Sequence, residues 1–174
     1  MILSTLVLLA ALAGQSAPAP LAPAREGKLQ CYVPDAAKKT CQAIAGYEPQ
    51  PDGSYRNTAK VLIAPERSIS METVSTVQVK GAAICGVMAR ADLLAGRVLA
   101  GNTPLPKAQA DPILERIATA LAAAGTLDKE TCTTYTPDGT QLKAEVTVDG
   151  VARPDFTQPV IWVSPSDGFT LGTP

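Results

Sequence analysis

Apolar and polar residues alternate over much of the second half of this chain. Leu142, Ala144, Val146 and Val148 take turns with Lys143, Glu145 and Thr147, the period of a strand with one buried face. Residues 71–80 (METVSTVQVK) are rich in β-branched side chains, with Val77 and Val79 on one side and Thr76, Gln78 and Lys80 on the other. Ala59, Val61 and Ile63 repeat the pattern earlier. Residues 159–164 (PVIWVS) form an unbroken apolar run, which suits a strand covered on both faces.

Turn residues separate these runs. Pro51-Asp52-Gly53 and Pro137-Asp138-Gly139 each offer a fixed φ, a local acceptor and a residue tolerant of positive φ. They predict hairpins over 41–64 and 131–148. Residues 82–88 read as a return strand after Gly81, 91–95 as one helical turn, 98–100 as a short strand and 169–171 as a last edge strand. Pro34-Asp35 marks a loop between Cys31 and Cys41, with a short helix from Ala36.

One stretch has helical spacing. Ile113, Ile117 and Leu121 recur at i, i+4 and i+8, with Leu114 and Ala118 beside them. Asp111 suits the cap, Pro112 the first helical position and Gly125 the left-handed residue after the last turn. The spacing predicts a helix over about 112–124. These elements predict an α+β fold: a mainly antiparallel sheet with one principal helix packed on one face.

The amino-terminal stretch changes the picture. Residues 1–13 are apolar, uncharged and end Ala11-Leu12-Ala13, a signal-peptide pattern too short to span a bilayer. Residues 14–27, rich in Ala and Pro, read as a tether, and 28–174 as a single exported domain. Four cysteines, Cys31, Cys41, Cys85 and Cys132, follow the signal, and an even number in an exported chain reads as two disulfides.

A weak internal echo suggests their pairing. Lys38-Lys39-Thr40-Cys41 leads to Tyr47 and Pro51-Asp52-Gly53, and Lys129-Glu130-Thr131-Cys132 leads to Tyr135 and Pro137-Asp138-Gly139. Each downstream cysteine then takes an upstream partner: Cys31 with Cys41, and Cys85 with Cys132. The longer loop makes the second bridge the more stabilising on chain-entropy grounds.

Composition excludes more chemistry than it offers. The 174-residue chain has no histidine and a net charge of -1. That removes histidine-based triads, histidine-ligated zinc and the usual switch near neutral pH, and predicts a stability that is flat from about pH 6 to 8. With the cysteines paired, thiolate chemistry goes as well. No basic stripe offers itself to nucleic acid, and no metal or cofactor motif is present. Asp52, Asp138, Asp149 and Asp167 each precede glycine, which ordinary turn chemistry explains. Ser54, Ser68 and Ser70 with Lys60 allow a Ser–Lys dyad only on paper. Tyr47 and Tyr55 flank the first turn and can form a binding platform or a cross-strand pair.

The expectation is a periplasmic or extracellular, disulfide-stabilised, non-catalytic module that binds a protein, peptide or envelope component. It has no cofactor, no nucleic-acid partner and no lasting membrane insertion. The alternatives are a small histidine-free hydrolase or glycan-acting enzyme using carboxylates, and an inhibitor presenting the 31–41 loop.

Overall fold

The computed structural model describes residues 19–173, so the expected signal segment 1–13 lies outside the described residues. In chain order the elements are α1 (Ala22–Arg25), β1 (Leu29–Asp35), β2 (Thr40–Pro49), β3 (Tyr55–Ala64), β4 (Ile69–Lys80) and β5 (Ala83–Val87). Then come α2 (Arg90–Leu94), β6 (Arg97–Ala100), β7 (Thr103–Pro104), α3 (Lys107–Ala123), β8 (Glu130–Asp138) and β9 (Gln141–Val148). The chain ends with β10 (Val151–Ala152), β11 (Gln158–Val163) and β12 (Thr170–Leu171). No helix of the described residues is long and apolar enough to cross a membrane.

Eight strands close into an antiparallel barrel in the order β1, β2, β3, β4, β5, β8, β9, β11 and back to β1. Successive barrel strands are neighbours throughout, which makes it an up-and-down barrel. Four short strands extend it: β6 on β4, β7 on β6, β10 on β9, and β12 parallel to β2.

This closure overturns the expected α+β sheet with a helix on one face. The deciding element is β1, where the sequence pattern shows only a loop. Its sequence LQCYVPD puts polar Gln30 on a buried position and Pro34 near the end, so no alternation marks it. Paired to β11 from Leu29↔Val163 to Tyr32↔Val160, and to β2 on its other side, it joins the first and last parts of the sheet. A closed ring has no edges to protect.

Directly opposed residues share a face of a sheet. Following the register round the ring, the inner face carries Gln30 and Tyr32 of β1, Tyr47 of β2, Tyr55 and Asn57 of β3, and Ser75 and Val77 of β4. It continues through Ile84 and Gly86 of β5, Thr133 and Tyr135 of β8, Ala144 of β9, and Val160 and Trp162 of β11. A Cβ added at Gly86 would lie 2.8 Å from Val77 Cγ1, so β4 and β5 pack this way only with glycine there.

The two ends of the barrel are covered differently. At the end bearing the tight turns after β2, β4 and β8, Leu21 is fully buried against Tyr55, Val77 and Ile84. Of the Ala/Pro stretch expected to be a tether, the described part thus docks on the barrel, with α1 turning the chain into β1. At the opposite end the excursion between β5 and β8 folds over the sheet, and Met71, Leu93, Val98, Ala110, Leu114, Ala118 and Leu127 form its core.

Helix α3 belongs to that excursion and begins at Lys107, five residues earlier than Pro112. Pro112 lies inside it. Asp111 caps nothing and instead accepts from Lys107 Nζ at 2.7 and 2.8 Å, one turn away. Residues 107–111 (KAQAD) include good helix formers, so the turn before Pro112 is helical despite the proline. The buried stripe is Ala110, Leu114 and Ala118, with Ile113, Ile117 and Leu121 on its flanks. Gly125, at φ 71, ends the helix in the left-handed conformation expected of it. The segment from Ala36 is a turn rather than a short helix.

Both disulfides pair as the echo predicts: Cys31 with Cys41 and Cys85 with Cys132. Cys85 and Cys132 stand directly opposite on β5 and β8, with Cα atoms 4.0 Å apart. Cys31 and Cys41 are not opposite in register, yet their Cα atoms are 5.3 Å apart. Val33, between them, has φ 47, rare for a β-branched residue, and bends the hairpin. Both cysteines are fully buried beneath the carboxy-terminal tail, in a cluster with Val163 and Phe169. That cluster covers the outer side of β11 at Ile161 and Val163, and Val160 and Trp162 face inward, so the run is covered on both faces from Val160 to Val163, while Pro159 is exposed.

Candidate functional site

Two concavities stand out, one outside the barrel and one inside. The outer one lies across β2, β3 and β4. A depression of about 780 Å³ is bounded by the amino-terminal turn at Ala24–Leu29 and floored by Ile44, Gly46, Thr58 and Lys60. A second, of about 560 Å³, runs from Lys60 and Leu62 past Ser70 to the tail at Thr170–Thr173. Ile44 and Lys60 line both, so the two form one trough. Gly46 keeps it open at the first end, where a Cβ would lie 3.2 Å from Leu29 Cδ2.

Of the charged side chains lining the trough, Arg25 and Lys60 have no ion-pair partner among the described residues, Arg25 donating only to the Tyr55 hydroxyl, and the others are paired. Arg56 pairs with Glu48 at 3.5 Å, Lys28 with Glu26 at 3.1 Å, and Glu72 with Arg97. Glu72 is the cross-strand neighbour of Lys60, so its engagement by Arg97 matters. Lys60 has no ion-pair partner among the described residues. Ser70 is 3 % exposed and its Oγ has no hydrogen-bond partner among the described residues. The trough thus offers a floor of mixed apolar and polar side chains and a free ammonium where its halves meet, with the Ser70 hydroxyl buried beneath the second half.

Inside the barrel, three tyrosines converge on one amide. The Tyr32 hydroxyl lies 2.8 Å from Gln30 Oε1, that of Tyr47 2.7 Å and that of Tyr135 3.2 Å. The Tyr32 and Tyr135 hydroxyls lie 2.8 Å apart, and since each carries one proton, one of them donates to the other in place of Gln30 Oε1. Gln30 is fully buried, and its Nε2 has no partner among the described residues. Burial of the phenols pushes Tyr32 and Tyr47 well above the ordinary tyrosine range, and raises Tyr135 too.

Tyr47 and Tyr55 therefore do not form an exposed platform. Both face into the barrel: Tyr47 tilts against Trp162 with ring centroids 6.4 Å apart, and Tyr55 is buried with its hydroxyl accepting from Arg25 at 3.0 Å. The aspartates before glycine serve turns. Asp52 accepts from Ser54 N and Oγ at 3.0 and 2.6 Å, Asp149 pairs with Lys129 at 2.8 Å, and Asp167 completes a capping box with Ser164. Lys60 and Ser70 share the trough, on neighbouring positions of one sheet face. The 31–41 segment is a tight hairpin whose Asp35 accepts from Ala37 N and Lys38 N at 2.9 Å each, not an extended protruding loop. No group of three or more His, Cys, Asp or Glu residues fit to hold a metal occurs among the described residues.

Gln30, Tyr32, Tyr135 and the trough at Lys60 are not picked out by sequence reasoning as a site. The echo carries part of the signal, since its two equivalent tyrosines, Tyr47 and Tyr135, both reach Gln30. The chain matches no family model, and no curated protein or solved structure matches it.

Proposed function

We propose that the protein is an exported, non-catalytic binding module that seats an extended peptide segment in the trough across β2, β3 and β4. The observation that carries this reading is the continuity of the two depressions through Ile44 and Lys60. An open channel across three strands, with Ile44 and Leu62 set among polar side chains, suits an extended chain better than a compact substrate. The unpaired Lys60 ammonium sets the chemistry of the occupant, which should carry a carboxylate opposite it. Two disulfides support an oxidising compartment, periplasmic or extracellular, and an exported protein as the partner.

Selection from a random-peptide library against the purified protein tests this. Enriched peptides are expected to share an acidic residue flanked by apolar ones. Lys60→Glu is expected to weaken them at least about tenfold, the effect of 1.4 kcal/mol or more, while Lys129→Glu on the far side changes little. Absence of enrichment, or peptides indifferent to Lys60→Glu, would refute the reading.

A further inference from the structure

We infer that the barrel interior is a second, independent binding site, for a small neutral hydroxyl-bearing organic molecule. A cavity of about 230 Å³ lies against Tyr47 and Tyr135 on the inner face. Taking about 30 Å³ for each water in the liquid, it has room for roughly seven waters or one small ring. Eight-stranded barrels are just wide enough either to fill with side chains or to hold one such molecule. This one stops short of filling itself because Ser75, Gly86, Thr131 and Thr133 are small.

The lining fixes the class of ligand. Among the described residues no charged side chain lines the cavity. An ion taken into it would lose its hydration without gaining a charged partner. The walls instead present the hydroxyls of Ser75, Thr131 and Thr133, and the amide of Asn57. Asn57 Nδ2 already donates to Gly46 O at 3.1 Å, which leaves Oδ1 as an acceptor. Hydroxyls both donate and accept, so they match hydroxyl groups on a ligand. Val77, Ile84 and Met88 supply an apolar wall for its carbon frame.

The tyrosine knot makes this wall rigid. Tyr47 and Tyr135 each line the cavity and each bond Gln30, and Tyr32 ties to both Gln30 and Tyr135. Three phenols held by one buried amide lose little freedom when a ligand arrives, which favours binding. Turning the Gln30 amide over does not relieve its orphan atom, because it exchanges an unpartnered nitrogen for an unpartnered oxygen. The mouth is beside Val87, which is 42 % exposed.

Four probes on the intact oxidised protein decide the matter: benzyl alcohol, D-glucose, benzoate and benzylammonium, each followed by NMR shift perturbation and by melting temperature. At least one of the two neutral probes is expected to shift the resonances of Thr133 and Tyr135 saturably, while neither ion does. Thr133→Val keeps the side-chain shape and removes a hydroxyl, and is expected to weaken the neutral probe about three- to tenfold with the circular dichroism unchanged. Ser75→Leu, which fills the space, is expected to abolish binding. Should Ser75→Leu prove unfolded, Thr133→Val carries the test alone. The inference fails if neither neutral probe perturbs the interior, if an ion binds as well as its neutral counterpart, or if Thr133→Val leaves affinity unchanged. Lys60→Glu is expected to leave this site untouched, so the trough and the interior stand or fall separately.

Discussion

Gln30 shows what a single polar residue does in this barrel. It occupies a fully buried position between Ala45 and Trp162 in register, where an aliphatic side chain would have been the simpler choice. Its carbonyl oxygen gathers three phenol hydroxyls, of which Tyr47 has no other hydrogen-bond partner among the described residues. The same knot sets the response to alkali. The phenols of Tyr32, Tyr47 and Tyr135 hold their protons more tightly folded than unfolded. Above the unfolded value of about 10 the native state binds more protons than the unfolded one, so stability falls as pH rises. Each such group contributes at most about 1.4 kcal/mol per pH unit, so the three together approach about 4, a large share of a domain's stability. Denaturant midpoints are therefore expected to be flat from pH 6 to 8, where a chain without histidine titrates little, and to drop steeply above pH 10. Phenolate absorbance should grow in step with unfolding. A native protein showing all its tyrosines ionised near pH 10 would contradict the knot.

Element by element, the sequence is legible where period and punctuation agree. Leu142–Val148 alternates and its inward residues are the ones expected, and the proline-aspartate-glycine turns lie at Gly53 and Gly139 with φ 83 and 61. It is misleading where a residue serves two masters. Pro112 is a fair first helical residue, yet it sits inside α3 because Lys107–Asp111 can already be helical. In β1 the knot residue Gln30 and the bent Val33 erase the strand pattern, and without β1 the sheet has two edges instead of none. The candidate sites were illegible for a related reason: Lys60, Ser70 and Gln30 acquire their roles from neighbours far along the chain. The disulfides change rank once seen in place. Loop length alone favours Cys85–Cys132 by about 1 kcal/mol over Cys31–Cys41. However, Cys31 and Cys41 are both fully buried in an apolar cluster, where two serines would bring unpaired hydroxyls at about 1–3 kcal/mol each, whereas in the other bridge Cys85 is buried but Cys132 is only partly so. We expect the Cys31→Ser/Cys41→Ser protein to lose at least as much stability as the Cys85→Ser/Cys132→Ser protein in urea unfolding. With alanine in place of serine at each site, the order given by loop length should return.

For the whole molecule the closed ring matters most, because it separates a framework from what is mounted on it. Barrel strands follow one another in sequence except at a single large excursion, residues 88–129, which carries α2, β6, β7 and α3 with a core of its own. The Cys85–Cys132 bond crosses the base of that excursion, joining the strands from which it leaves and to which it returns. The chain there is a covalent loop tied off at its neck. A protease that cuts once inside it, for instance after the exposed Arg97 or after the exposed Lys107, cannot separate the part before the cut from the part after it. The nicked protein should run as one species of unchanged mass plus a water and come apart into two pieces only after reduction. If a single tryptic cut within 88–129 of the oxidised protein instead separates the amino-terminal part carrying Cys85 from the carboxy-terminal part carrying Cys132 under denaturing, non-reducing conditions, the knot at the neck is not closed. If it does not, the excursion is a place where this chain can be broken, lengthened or replaced while the ring beneath it stays in one piece.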